Sequence, residues 1–272
     1  MTTNSVLAIA AHPDDIEFVM AGTLLQLSQR GWQVHYFNIA NGCYGSQTLA
    51  PAQCAAVRLA EAQAAAALLG AKFYPPICDD MNVMYTQDML RQVAAVVRQA
   101  QPQIVLTHAP LDYMEDHQNT ARLAVSAAFT RGMPGYATLP PLASFDASVA
   151  VYHAQPHGNR TLLGDLVTPT HFVDVSSLVD RKRELLAAHA SQDQWLGASQ
   201  GISAYLETML DLNRQVGQLS GKFELAEGWR QHLHLGFSPA GFDPLRAALD
   251  TAITIADRSR QSCDESQQST GA

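Results

Sequence analysis

The sequence is poor in charge: Asp, Glu, Lys and Arg make up only 15% of its 272 residues. Acids outnumber bases, 25 against 17, and no basic run stands out. The electrostatic footprint of a nucleic-acid binder or an anionic-membrane binder is therefore missing. Cysteine is scarce. Cys43, Cys54, Cys78 and Cys263 are widely spaced and form no CxxC, which argues against a disulfide framework and a thiolate zinc cage. No apolar stretch reaches the ~18 residues that a membrane span needs. Met1-Thr2-Thr3-Asn4-Ser5 carries no Lys or Arg and the apolar run behind it stops at Ala11, so no secretory signal is expected. No internal repeat or long linker is visible. With 47% hydrophobic residues the chain can bury a large core and is too apolar for disorder. These absences leave a soluble, cytoplasmic, globular protein as the expectation.

What is present is a rhythm. Residues 6–10 are a short continuous apolar run, the pattern of a buried parallel strand. Ile16, Met20, Leu24 and Leu27 follow at helical spacing and stop at Gly31, with Asp14 and Asp15 at the positive end of that helix. Further strands are expected over 32–39, 71–77 and 104–108, with helices over 51–69, 86–101 and 117–129. Strands alternating with helices imply a parallel sheet covered on both faces. The second half is less regular, with strands over 149–152 and 172–175 and helices over 177–190, 202–219 and 245–255. The fold class is α/β and Rossmann-like: a mostly parallel sheet with helices on both faces, in one domain over 1–257 with a smaller, irregular C-terminal half. Residues 258–272 read as a mobile tail. The loop after the first strand lacks GxGxxG, so a dinucleotide site is rejected there.

Two clusters carry chemistry. His12-Pro13-Asp14-Asp15 follows the first strand, and Asp112-Tyr113-Met114-Glu115-Asp116-His117 follows the fourth. In a doubly wound sheet of order 3-2-1-4 those strands are neighbours, and the crevice at their carboxyl ends is the expected ligand site. His12 and Asp15, three apart across a turn into a helix, lie on the same side. Asp14 diverges from Asp15 by about 100° if the helix has begun, so one carboxylate can bind a metal while its neighbour holds a water. His117 can supply a third ligand. Two imidazoles and a carboxylate with an open position make a catalytic zinc arrangement, although iron, cobalt or manganese would also be accepted. The competing reading of the first cluster is a helix cap with an incidental histidine, and that of His117 an exposed helix-start residue.

These motifs resemble the PIG-L/LmbE family of zinc-dependent de-N-acetylases. The resemblance runs from Ala-His-Pro-Asp-Asp through Asn41-Gly42-Cys43-Tyr44-Gly45, Arg58-Leu59-Ala60-Glu61 and residues 102–108. It then reaches Lys182-Arg183-Glu184 and His189-Ala190-Ser191-Gln192. It implies that His12, Asp15 and His117 ligate Zn2+ and that Asp14 is the general base. It implies a small N-acetylated substrate, mainly an N-acetylglucosamine-containing one, and a homo-oligomer, which is also common for folds of this size. One departure stands out. The family often has His where this chain has Met114, and a thioether donates no hydrogen bond. His157 first and His189 second are the candidate replacement donors. The alternative is a metal-holding protein on the same fold that has lost its chemistry.

Other residues remain open between two roles. Arg58 is a substrate contact or a surface salt bridge. Asp80 reaches sugar hydroxyls or makes a turn. Asp112 and Asp116 touch substrate, cap the loop, or hold a metal-binding histidine from behind. Tyr44, Tyr85, Tyr113 and Trp195 form a sugar-stacking rim or pack. Cys43 reads as a packing residue, and Met81, Met84 and Met89 read as fillers.

Overall fold

Ser5–Ala10 forms strand β1, buried at every position, in the computed structural model, which describes residues 4–192 and 202–256. Trp195 and the 258–272 tail lie outside the described residues. A strand covered on both faces needs apolar residues without alternation. Val6, Ala8 and Ala10 point into one apolar layer and Leu7 and Ile9 into the other. After β1 come α1 (Asp15–Val19), α2 (Ala21–Ser28), β2 (Gln33–Asn38), α3 (Pro51–Leu69) and β3 (Lys72–Tyr74). They are followed by α4 (Gln87–Ala100), β4 (Ile104–Thr107), α5 (Glu115–Phe129) and β5 (Ala150–Ala154). The remainder is β6 (His171–Asp174), α6 (Val179–Ala187), α7 (Ile202–Ser220), β7 (Ala226–Gln231), α8 (Pro244–Leu249) and β8 (Ile253–Ile255).

Among the described residues the strands form one mixed sheet of order β3-β2-β1-β4-β5-β7-β6-β8. Strands β1 to β5 pair in parallel, and β7, β6 and β8 continue the sheet antiparallel. The expected 3-2-1-4 order is present. Helices α2, α3 and α8 pack on one face and α4 and α5 on the other. Helix α3 ends at Gly70, whose φ of 68° is the left-handed closure that glycine allows at little cost.

Three elements differ from expectation. The first helix breaks at Met20, where φ is −130°. The break gives α2 its own N-terminus, and the amides of Gly22 and Thr23 donate to buried Glu227 at 2.8 and 2.7 Å. Strand β7 was not expected, because Ala-Glu-Gly-Trp-Arg-Gln has no strand alternation; its place is fixed by neighbours on both sides. The helix expected over 245–255 ends at Leu249, and Ile253-Thr254-Ile255 pairs with β6. β-Branched residues suit that edge.

Candidate active site

The backbone sets the geometry first. Asp14 has φ 101°, a left-handed conformation that costs a non-glycine residue of order 1–3 kcal/mol. Surrounding bonds hold it there. Its carbonyl accepts from Phe18 N at 3.0 Å, the Arg58 guanidinium lies 3.1 Å from its carboxylate, and Arg58 also donates to Pro13 O. The turn sends Asp14 towards Arg58 and Asp15 towards a group of histidines. Arg58 is packed tightly: a Cβ at Gly42 or Gly45 would fall 2.6 or 2.3 Å from its side chain.

Asp15 Oδ2 accepts from His12 N at 2.7 Å and lies 3.5 Å from His12 Nδ1. Its Oδ1 is 3.4 Å from His117 Nε2. Ligand atoms of His12, Asp15 and His117 all lie within 4.8 Å of one another. The other nitrogen of each histidine is held by a carboxylate. His12 Nε2 is 3.0 Å from Asp116 Oδ2, which also accepts from Met81 N at 2.7 Å. His117 Nδ1 is 3.0 Å from Asp112 Oδ1. Carboxylates behind both imidazoles fix the rings and direct the remaining nitrogens towards Asp15, the usual support of a metal centre. His108, Asp112 and His117 form a second group of the same compactness. That group fits a cation less well: His117 Nδ1 and Asp112 already bond each other, and His108 Nε2 accepts from Ala11 N at 2.9 Å.

The electrostatics couple the imidazoles to the carboxylates around them. Burial opposes the charge on His12, yet the carboxylates of Asp116 and Asp15 raise its pKa to about 10. Burial also opposes ionisation of Asp15, but His117 and His108 outweigh it and hold that carboxyl well below the usual range. Asp14 goes the other way: burial pushes its carboxyl up against the pull of Arg58. Two adjacent aspartates thus have opposite proton affinities, as expected of a ligand beside a base.

These groups line a cavity of about 400 Å³ at the carboxyl ends of β1 and β4. Tyr44, Arg58, Asp80, Asp112, Tyr113, Met114 and His157 line it too. Arg58 is buried, so its ion pair is not a surface one. Asp80 accepts from Gly42 N and Tyr44 N at 2.7 and 2.9 Å, which is the turn-making role. Asp112 is buried and holds His117 and the His157 amide. Asp116 stands behind His12. The exposed Tyr113 ring lies edge-on to His117, with centroids 5.5 Å apart, and exposed Tyr44 lies at the rim. The His157 ring sits between Phe18 and Tyr113. His189 does not line the cavity. Its ring is buried against Glu17, with Nε2 to Oε2 at 3.2 Å. Tyr85 does not line it either and instead bonds Ser126. Cys43 packs, as expected, whereas Met81 and Met84 are exposed and Met81 reaches the cavity wall.

Sequence reasoning missed His108 and Tyr205. The His108 ring stacks on His117 at 4.1 Å and lies 3.3 Å from Asp15. Its position after β4, at the carboxyl edge of the sheet, was the available signal. Tyr205, on α7, stacks on Phe18 and interacts with Asp14; no local pattern marks it.

The α/β sheet thus carries, at the ends of β1 and β4, a carboxylate-backed His-Asp-His group whose atoms could hold a cation, beside the partly buried Asp14. Residues 7–128, which contain all of that group, match the family model PIG-L, described as GlcNAc-PI de-N-acetylase. It is 29% identical over 201 residues to diacetylchitobiose deacetylase of Thermococcus kodakarensis, covering 70% of this chain and 72% of that one. It is 27% identical over 197 residues to 4-oxalmesaconate hydratase of Pseudomonas putida, covering 70% and 74%. The solved structure of N,N′-diacetylchitobiose deacetylase from Pyrococcus horikoshii superposes with a TM-score of 0.71 at 24% identity, covering 89% of this chain and 88% of that one. No helix among the described residues is long and apolar enough to cross a membrane.

Proposed function

We propose that this chain is a metal-dependent amide hydrolase that removes an acetyl group from a small amino sugar. The observation that carries the reading is the convergence of His12 Nδ1, Asp15 and His117 Nε2, with Asp14 alongside on its own arginine. The donor set suits zinc. When bound, such an ion acidifies a water molecule and polarises an acyl carbonyl. Asp14 takes the proton of the attacking water as the C–O bond forms. Arg58 keeps that carboxylate aimed. The C–N bond then breaks, and His157, whose ring nitrogens have no hydrogen-bond partner among the described residues, passes a proton to the departing nitrogen. Acetate and a free amine result. Tyr44 and Tyr113 offer apolar faces to a sugar ring at the rim.

Met114 favours a second reading. A thioether at the cavity wall cannot protonate a leaving amine. Addition of water to a conjugated double bond, the kind of reaction named for the Pseudomonas putida relative, has no amine to release. The test is an assay of zinc-loaded protein on N-acetylated amino sugars, reading acetate, and on unsaturated dicarboxylates, reading loss of ultraviolet absorbance. Chelator-sensitive acetate release supports the deacetylase; absorbance loss alone supports the hydratase. Stoichiometric metal without turnover on either panel identifies a metal-holding protein.

A further inference from the structure

A second cavity, of about 630 Å³, lies on the other side of the loop that follows β4. It shares no lining residue with the metal cavity: Ala109, Pro110 and Leu111 face it, whereas His108, Asp112 and Tyr113 face the other. Its volume is that of a small-molecule site. Although the chain carries a net charge of −8, no Asp or Glu among the described residues lines this cavity. Arg122, Arg230, His153 and His232 do.

The two arginines are free of ion pairs among the described residues: neither has a carboxylate partner within 4.0 Å. Arg122 instead lies 4.8 Å over the Tyr85 ring, whose hydroxyl is 2.8 Å from Ser126 Oγ. The histidines are ordered by a chain of hydrogen bonds. His153 Nδ1 faces the carbonyl of His108 at 2.8 Å, so it carries the proton and Nε2 is an acceptor. His232 Nδ1, 3.1 Å away, must then be the donor to it. His232 Nε2 is then an acceptor, with no protein partner among the described residues. Between these polar edges the wall is apolar, formed by Leu111, Val125, Val167 and Leu233.

We infer that this cavity binds a small amphiphilic carboxylate, an organic acid with an apolar body. Guanidinium forks match a carboxylate in two parallel hydrogen bonds, and the aliphatic wall accommodates the hydrocarbon part. Inorganic phosphate would satisfy the arginines but gain nothing from that wall. The inference is independent of the reaction proposed for the metal cavity.

The test is calorimetric titration of the zinc-loaded full chain with phenylacetate, 4-phenylbutyrate and octanoate, with their matched alcohols and inorganic phosphate as controls. The carboxylates are expected to bind, with alcohols and phosphate weaker by at least about tenfold. Arg122→Gln and Arg230→Gln, both at exposed positions, are each expected to weaken carboxylate binding by about tenfold. His12→Ala, which damages only the metal cavity, is expected to leave it intact. Four results overturn the inference: no carboxylate binds, the alcohols bind equally well, both arginine variants bind like wild type, or His12→Ala abolishes binding. A fifth is a wild-type oligomer, seen by sedimentation, that dissociates in Arg122→Gln, since the cavity would then be filled by a second copy. Should His12→Ala fail to fold, the arginine variants decide.

Discussion

The position of a single proton divides the labour among the carboxylates. Asp112 and Asp116 each accept from an imidazole, so the opposite nitrogen is the one turned towards Asp15. Replacing Asp112 with Asn removes the charge behind His117 and lets the ring turn. Zinc affinity is expected to fall about 10–100-fold, read by competition with a chromophoric chelator. An unchanged affinity would mean that His117 is not a ligand. The sequence announced His12, Asp14, Asp15 and His117 because they lie in two short motifs at strand ends. It could not separate substrate contact from support for Asp80, Asp112 and Arg58, since the answer depends on partners 36 to 45 residues away.

Long-range bonds also decide where elements begin. Glu227 on β7 accepts from Gly22 N, Thr23 N, Thr23 Oγ1 and the Lys182 ammonium, and both charges are almost wholly buried. Glu227→Leu leaves Lys182 buried and unpaired, at a cost of about 3–5 kcal/mol in urea unfolding. The double variant Glu227→Leu/Lys182→Met is expected to recover part of that loss. No recovery would show that the carboxylate acts through the α2 amides alone. The local pattern read α1 and α2 as one helix because the residue that splits them is some 205 positions away.

Helix α8 offers a pH-dependent case. The Asp243 side chain caps it by accepting from Arg246 N at 3.0 Å, and it also accepts from Tyr152 OH at 2.8 Å and lies 3.0 Å from His171 Nε2. Burial opposes its charge, but these hydrogen bonds hold the carboxyl below the ordinary 3.8. A depressed folded-state pKa stabilises at pH values above the unfolded-state pKa, and that contribution is lost as pH falls through the folded-state pKa. Asp243→Ala is therefore expected to cost about 2 kcal/mol at neutral pH. The difference from wild type should shrink below pH 3.8, measured by urea unfolding at several pH values. A penalty constant down to strong acid would mean that the side chain acts by packing.

At the scale of the whole molecule, the sheet brings two motifs about a hundred residues apart to one crevice, as β1 and β4 pair directly. The first half was legible because its strands are apolar and its helices periodic. The second half was less so, because antiparallel β7 and β8 take their identity from the strands beside them. Metal bound at the crevice would tie β1, α1 and α5 together, so chelation is expected to lower the melting temperature. The most direct measurement is a zinc titration of the purified, metal-stripped chain by calorimetry, with His12→Ala and His117→Ala in parallel. The account expects stoichiometric, tight zinc binding to wild type and a large loss of affinity in each variant. No stoichiometric binding to wild type, or undiminished binding in both variants, would contradict it.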